Sequence, residues 1–449
     1  MKKILLIGAT ALMVSNSTFA GGILTNTNQN AAYLRNPARE AVIAIDGVYS
    51  NPAGIAFLPQ GFHLSVSWQA AFQKRQIDAN GQMFLLNGGK TDKNFEGTSK
   101  APVIPSFQAA YVINDKWSVS AQFAVGGGGG KCEFDNGLPM FEELVYSALA
   151  QGVAANTMLP SGSSVAKYSL NQSLTGKQYF YGFQVGGTYR LADNVSVFGG
   201  LRGVLANCSY VGSITNISGD VALPTGTVMQ GVATSDDLVL DCSQSGFGIT
   251  PIIGIDWNLG KLNLAAKYEF RTRIELENES NNSANLTALA AQVPAVAVYA
   301  DGMKVRSDIP ALLTLGAQYQ LTDAVRAMAG FHYYWDKDAK GGPIQKGDNT
   351  WEALLGVEWD VNDKIMLSCG GQRTQYGFDD TDMSDVNFNI QNWGVCIGGA
   401  YKFSEKMKLN VGYMHSFYED HSVTSSVSGV TRNYTRKNDV VGASLDITF

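Results

Sequence analysis

One pattern constrains this chain more than any other: apolar and polar residues alternate one by one along nearly its whole length. In "GFHLSVSWQAAFQ" (61–73), Phe62, Leu64, Val66, Trp68, Ala70 and Phe72 share one face, and His63, Ser65, Ser67, Gln69 and Gln73 the other. Successive side chains of a β-strand point to opposite faces, so such a stretch has a greasy side and a wet side. The phase recurs with Trp117, Val119, Ala121, Phe123 and Val125 against Ser118, Ser120 and Gln122. It recurs again over Phe247, Ile249, Pro251, Ile253, Ile255 and Trp257, and at the end over Leu445, Ile447 and Phe449.

The punctuation between these stretches is asymmetric. Short polar turns stand at 113–116, 191–194, 257–261, 321–324, 361–364 and 403–406. Longer excursions stand at about 77–101, 127–168, 211–242, 277–306, 338–348, 379–387 and 421–435. Six tight turns and seven loops join fourteen strands, an even number. Tight turns at one end and long loops at the other are the mark of an outer-membrane barrel, whose tight turns are periplasmic. A soluble sandwich also alternates, but without that difference between its ends. The expected fold is all-β, a fourteen-stranded antiparallel transmembrane β-barrel over 61–449. Hydrocarbon offers no water to an unpaired strand edge, so such a sheet closes on itself and turns its apolar face to lipid. Tyr333, Tyr334, Trp335, Trp351 and Trp359 lie near strand ends, where an interfacial aromatic girdle is expected.

The N-terminus reads as an export leader over 1–20: Lys2 and Lys3, an apolar run from Ile4 to Val14, and Thr18-Phe19-Ala20 as the cleavage site. The mature chain then begins at Gly21, which is not the cysteine of a lipoprotein. No later run approaches the ~18 apolar residues of a membrane helix. The formal charge is −6, and −8 once Lys2 and Lys3 leave, which argues against nucleic acid as a partner. The run "GGGGGK" (126–131) is not a phosphate loop: Val125 stands where its first glycine belongs, and Cys132 where its Ser or Thr belongs.

The segment 21–60 precedes the first strand, and it is too apolar for a disordered tail. It holds Ile23, Leu24, Val42, Ile43, Ile45, Ile55, Phe57 and Leu58. A wide barrel leaves a channel unless something fills it, so this segment is expected in the lumen as a plug. A small periplasmic cap is the alternative.

Within it, "YSNPAGIAFL" (49–58) resembles the Asn-Pro-Ala hatch motif of outer-membrane transporters for long-chain fatty acids and other hydrophobic compounds, the FadL/TodX type. The segments 103–134 and 308–337 are similar to that family as well. Asn51, Pro52 and Ala53, followed by Gly54, are the best match; Asn36-Pro37-Ala38 competes for the role. The resemblance implies a fourteen-stranded barrel with an N-terminal hatch. It also implies capture of hydrophobic molecules by outer loops, binding inside the lumen, and sideways exit at an inward kink of the third strand. Val125, Gly126, Gly127 and Gly128 end the third strand counted here and are the candidate kink or gate, because glycine weakens a strand and marks bends. The same glycines read equally well as the start of a flexible loop.

Candidate ligand contacts are Arg202, Phe57, Met140 and Leu144. Arg202, Lys267, Arg271 and Arg326 fall on lumen faces, where a carboxylate pairs with a cation. Residues 139–159 read as a helix with one apolar stripe of Met140, Leu144, Val145 and Leu149, suited to first capture of an amphiphile. Cys208 and Cys242 flank the third outer loop and are placed to bridge its base; Cys369 points to lipid and Cys396 to the lumen, and Cys132 is left over. Asp379, Asp380, Asp382 and Asp385 form a hydrated acidic tip rather than a calcium loop. His63, His332, His415 and His421 stand in no catalytic motif, His421 beside Asp420 reading as a solvated loop. No catalytic residue, cofactor or metal is expected. The expected function is passive movement of hydrophobic molecules inward across a Gram-negative outer membrane by a monomer. Long-chain fatty acids lead, outer-membrane lipid surrounds the barrel, and a diffusion porin for small polar solutes is the alternative.

Overall fold

A computed structural model describes residues 29–291, 293–342 and 344–449. The leader expected at 1–20, and 21–28 of the segment before the barrel, lie outside the described residues. Among the described residues fourteen antiparallel staves form one sheet. They are β1 (Gly61–Asn80), β2 (Asp92–Val112), β3 (Trp117–Phe134), β4 (Ser164–Ala192), β5 (Val195–Ala222), β6 (Leu238–Asn258) and β7 (Leu262–Glu269, resumed as Glu275–Ser280). Then follow β8 (Lys304–Arg306, resumed as Leu312–Gln320), β9 (Val325–Tyr334), β10 (Thr350–Asp360), β11 (Ile365–Gln375), β12 (Asn392–Ser404), β13 (Met407–Tyr418) and β14 (Thr431–Thr448). Each pairs with the next, and β14 closes on β1 from His63 opposite Thr448 to Asn80 opposite Thr431. The short strands Val228–Thr234 and His421–Thr424 pair with the loop ends of β5 and β14.

The strands outrun their sequence signal. β1 and β2 stay paired to Asn80 and Asp92, so the first loop is 81–91 instead of about 77–101. β5 likewise runs to Ala222, well past the expected end near 211. Beyond the lipid both faces meet water or other loops, so alternation fades while the backbone ladder continues.

Outward-facing Phe62, Trp68, Phe107, Trp117, Phe183, Trp257, Leu355, Trp393 and Phe449 are exposed around the wall. An apolar band of that extent on a closed barrel is a lipid-facing surface. Tyr334 does not join the girdle. It is 2% exposed inside the barrel, because it alternates with the outward Tyr333, and its hydroxyl donates to Glu352 Oε2 at 2.7 Å.

The described part of the segment before β1 lies against the inner wall. It contains α1 (Ala31–Arg35), α2 (Gly47–Ser50) and a 3-10 turn at Pro52–Phe57. One side of the barrel is moulded to it by missing side chains. Gly398, Gly412 and Gly442 stand in cross-strand register on β12, β13 and β14, under Leu34 and Arg35. A Cβ on Gly398 would lie 2.7 Å from Arg35 Cβ, and one on Gly370 2.5 Å from Pro37 Cδ. The row continues through Gly356 under Asn36, and through Gly330 and Gly316 under Glu40.

Charge completes that contact. Glu358 of β10 accepts from Arg35 Nη1 at 2.5 Å, Arg39 Nη1 at 2.8 Å and Arg326 Nε at 2.8 Å. Arg39 also grips Asp46 at 2.7 Å, and His332 bridges Glu40 (2.8 Å) to Glu352 (2.9 Å). Buried carboxylates hold their charge only when paired in this way.

Candidate functional site

Both Asn-Pro-Ala motifs make the same connection. Asn51 caps its turn by accepting the Gly54 N–H at Oδ1 (3.2 Å), while its Nδ2 donates to Asp256 Oδ2 of β6 at 2.5 Å. Asn36 accepts the Ala38 N–H at 3.2 Å and donates from Nδ2 to Glu358 Oε1 at 3.3 Å. In each, the proline removes an N–H from the turn and the asparagine side chain ties the backbone to a wall carboxylate. They differ in the carboxylate: three arginines surround Glu358, whereas Asp256 is met by the amides of Asn51 and Asn263, and its Oδ1 has no hydrogen-bond partner.

Around the Asn51 turn, polar wall residues satisfy the backbone of the segment before β1. Gln184 Nε2 donates to Val48 O (2.8 Å), Thr188 Oγ1 to Pro52 O (2.9 Å) and Ser196 Oγ to Ala53 O (2.7 Å). The Ala53 methyl packs on Phe198 and Ile252. At Gly54 a Cβ would collide with the Asn51 amide.

The third strand is broken where its glycines begin. β2 and β3 pair from Val112 opposite Ser118 to Ser106 opposite Ala124, then resume only at Ser99 opposite Cys132. Residues 100–105 and 125–131 are left without a ladder between them. On its other edge β3 bulges against β4 twice, between Val125 and Gly130. Gly128 has φ +100°, and a Cβ there would strike the Gln178 carbonyl. The glycine run is therefore strand, not the start of a loop. Gln29 sits at the edge of the gap: its carbonyl accepts from Ser106 Oγ at 2.6 Å, and its side chain accepts from Gln122. Behind the gap lies only a small recess, lined in part by Gly126, Phe180, Val204, Arg202 and Ile309.

Above this level the lumen is apolar. Inward-facing Phe95, Phe134, Leu174, Phe180, Tyr210, Ile274 and Tyr434 form one buried cluster with Phe84 and Phe388 from the loops. Below it the inner wall is Ser65, Ser67, Gln69, Gln108, Gln122, Asn263 and Asn410.

The candidate ligand contacts scatter. Arg202 faces inward, but its guanidinium holds Glu269 at 2.6 Å and Gln184 at 2.7 Å, and Lys267 holds Glu269 at 2.7 Å. Arg271 and Arg326 are also engaged, by the Asp338 carbonyl and by Glu358 with Asp360. Phe57 is not in the apolar cluster; it lies at the tight-turn end under the Arg190 guanidinium, 4.8 Å from the ring centre. The helix reads correctly as α3 (Pro139–Ala155), but its stripe is not presented for capture. Leu144, Val145, Leu149 and Val153 are buried against Tyr168, Ile214, Leu286 and other loop residues, and Met140 packs on the apolar cluster of the lumen. Two buried glutamates fix it: Glu142 to Tyr168 (3.1 Å) and Gln172 (3.0 Å), and Glu143 to Arg432 (2.8 Å). Burial pushes the Glu143 carboxyl up, against the pull of Arg432.

Two further expectations are corrected. Cys208 and Cys242 are both free: Cys208 faces Gln244 and Cys242 faces Tyr210, a diagonal offset too wide to bridge. The acidic loop is only half hydrated. Asp382 accepts the N–H groups of Gln345 (3.0 Å) and Gly347 (2.8 Å), and Asp385 binds Arg432 at 2.8 Å, so both are buried ties between loops. His421 pairs with Asp380 at 2.8 Å, not with its neighbour Asp420.

No protein-family model and no curated protein matches the sequence. Solved structures do match in fold. A Pseudomonas aeruginosa FadL homologue superposes with a TM-score of 0.66 at 14% identity, over 96% of this chain and 100% of that one. The Pseudomonas putida toluene transporter TodX gives 0.56 at 13% identity, over 96% and 98%. The Ralstonia pickettii toluene transporter TbuX gives 0.53 at 12% identity, over 92% and 98%. The fold is that of the FadL/TodX-type channels, a fourteen-stranded transmembrane barrel.

Proposed function

We propose that this chain is an outer-membrane channel of the FadL/TodX family that passes hydrophobic molecules inward, long-chain fatty acids first among them. The observation that carries this reading is a cluster of inward-facing apolar side chains in the loop-end half of the lumen, standing above a break in the ladder between β2 and β3. Water-soluble cargo gains nothing from such a lining, whereas about 25 cal/mol per Å² of apolar surface draws a hydrophobic one in. The plug, 29–60 as described, acts as a hatch: it blocks the straight path to the tight-turn end, so cargo leaves sideways at Val125 to Gly128, beside Gln29. The tight turns face the periplasm, a single chain suffices, and no bond is broken.

Saturable binding of a fluorescent long-chain fatty acid to the purified protein in detergent, displaced by unlabelled oleate, tests the reading. Binding weakened by replacing Asn51 to Ala53 supports the hatch; absence of saturable binding removes fatty acids from the list of cargo.

A further inference from the structure

The outer face of the barrel carries a row of cations along one arc of its wall. Lys437 of β14, Lys74 of β1, Lys100 of β2, Lys131 of β3 and Lys177 of β4 stand on five successive strands, all pointing outward. Lys437 lies directly opposite Lys74 across the closing seam, and Lys131 directly opposite Lys177. Lys100 is two residues from Thr98, the other partner of Lys74, and opens the stretch of β2 that leaves the β3 ladder. Adjacent strands are about 4.8 Å apart, so the row runs about 19 Å around the wall and spans the β2–β3 break.

The row marks the loop-end edge of the lipid-facing band. Toward the tight turns, Phe72 follows Lys74 on the outer face and Val103 follows Lys100, both exposed. Tyr179, the next outward residue below Lys177, stacks on Tyr181 with ring centres 6.0 Å apart, and Tyr181 stacks on Phe123 at 6.4 Å. Aromatic rings placed in this way sit at the level of lipid headgroups. Above the lysines β1 turns Gln76 and Asp78 outward, and the apolar band has ended.

The chain itself does not neutralise this arc. Lys74 pairs with Glu96 at 2.6 Å, and Lys131 pairs with Glu133. Among the described residues Lys100, Lys177 and Lys437 meet no carboxylate within ion-pair distance. Asp439, one outward position below Lys437, already accepts from Tyr413 Oη at 2.5 Å and lies 2.7 Å from His415 Nδ1. Like charges directly opposite on adjacent strands repel, and this arc has two such pairs. Elsewhere on the outer wall the signs are mixed: Lys304 lies 3.7 Å from both Glu275 and Glu277, and Arg373 holds Glu419 at 2.5 Å. Open cations at headgroup level, spread too widely for one small ion, fit a large lipid head with more than one phosphate.

We propose that this lysine arc binds the phosphates of an anionic glycolipid of the outer leaflet and holds it across the β2–β3 break. The proposal rests on the loops facing the cell exterior and on no property of the cargo. Titration of the full chain in zwitterionic detergent with fluorescent bisphosphorylated lipid A is expected to saturate. Dephosphorylated lipid A should bind roughly 10- to 100-fold more weakly, the range three lysines supply at a charged lipid surface. Lys100→Gln, Lys177→Gln and Lys437→Gln together should cost a similar factor without moving the melting temperature, and arginine at the same positions should keep the affinity. Lys304→Gln with Lys337→Gln, on the far arc, should change nothing. Equal affinity for the two lipids, or full binding by the triple glutamine variant, overturns the site. So does displacement by inorganic phosphate at equal concentration, which marks a site for a small anion. Met158→Cys, in the exposed loop after α3, is expected to react with an impermeant maleimide on intact cells. No reaction there puts the arc in the inner leaflet and overturns the lipid assignment even where binding in detergent holds.

Discussion

The two halves of this lumen solve opposite problems with the same wall. Toward the tight turns the inward residues are serine, glutamine, asparagine, charged groups and a row of glycines; toward the loops they are phenylalanine, leucine, isoleucine and tyrosine. The lower half holds a stretch of irregular backbone, whose N–H and C=O groups need partners that water cannot supply there. Polar wall side chains supply them, and glycines let the segment before β1 come close. The upper half is filled instead by apolar side chains of the walls and of the loops, Phe84 and Phe388 among them, and its lining is apolar to match. A membrane barrel's interior is thus not polar by rule; its chemistry follows what it encloses.

The sharpest way to break this comparison is Glu358→Ala. It strands Arg35, Arg39 and Arg326 around a missing charge, and losing one side of a buried ion network costs about 3–5 kcal/mol. The plug should loosen, seen as a rise in ion conductance across planar bilayers, with hydrophobic-probe affinity little changed. Phe134→Ala is the counterpart in the upper half. Phe134 is 1% exposed and fills the space over Gly97, so about 3 kcal/mol is expected from the lost burial and cavity. There the probe affinity should fall and the conductance stay low. If both variants changed both readouts, the two halves would not be separable.

Gly398→Ala tests the moulding alone, since the new methyl meets Arg35 Cβ and the Val411 carbonyl; overpacking of this kind costs about 1–3 kcal/mol. Accelerated proteolysis of the plug would report it. Asn51→Ala removes a cap and one of two donors to Asp256, for about 1–2 kcal/mol, and the same proteolysis assay should show a smaller change. Lys74→Ala breaks an exposed pair with Glu96 on the outer surface, and melting should move within about 0.5 kcal/mol of wild type.

Much of this was legible in the sequence, and for a physical reason. Period-two alternation is local, so the face of each residue follows from parity, and His332, Arg202, Lys267 and Cys396 all point inward as their positions require. The six tight turns are local too, and every one separates a strand pair. The loops were less legible because their strands continue after the apolar signal stops, and because burial under other loops hides the α3 stripe.

Pairing across the lumen was not legible at all. That Asn36 and Asn51 each reach a wall carboxylate, that Arg202 is neutralised by Glu269, and that Arg75 and Arg436 meet at the seam depend on contacts spanning 67 to 361 positions of chain. The sequence by itself determined the barrel, the number of its strands and which side chains face inward, because alternation and turn chemistry act between neighbours. Only the tertiary structure decided which inward charges are satisfied and which stay open. That depends on where closure of the sheet, and the segment before β1 against its inner wall, bring distant residues together.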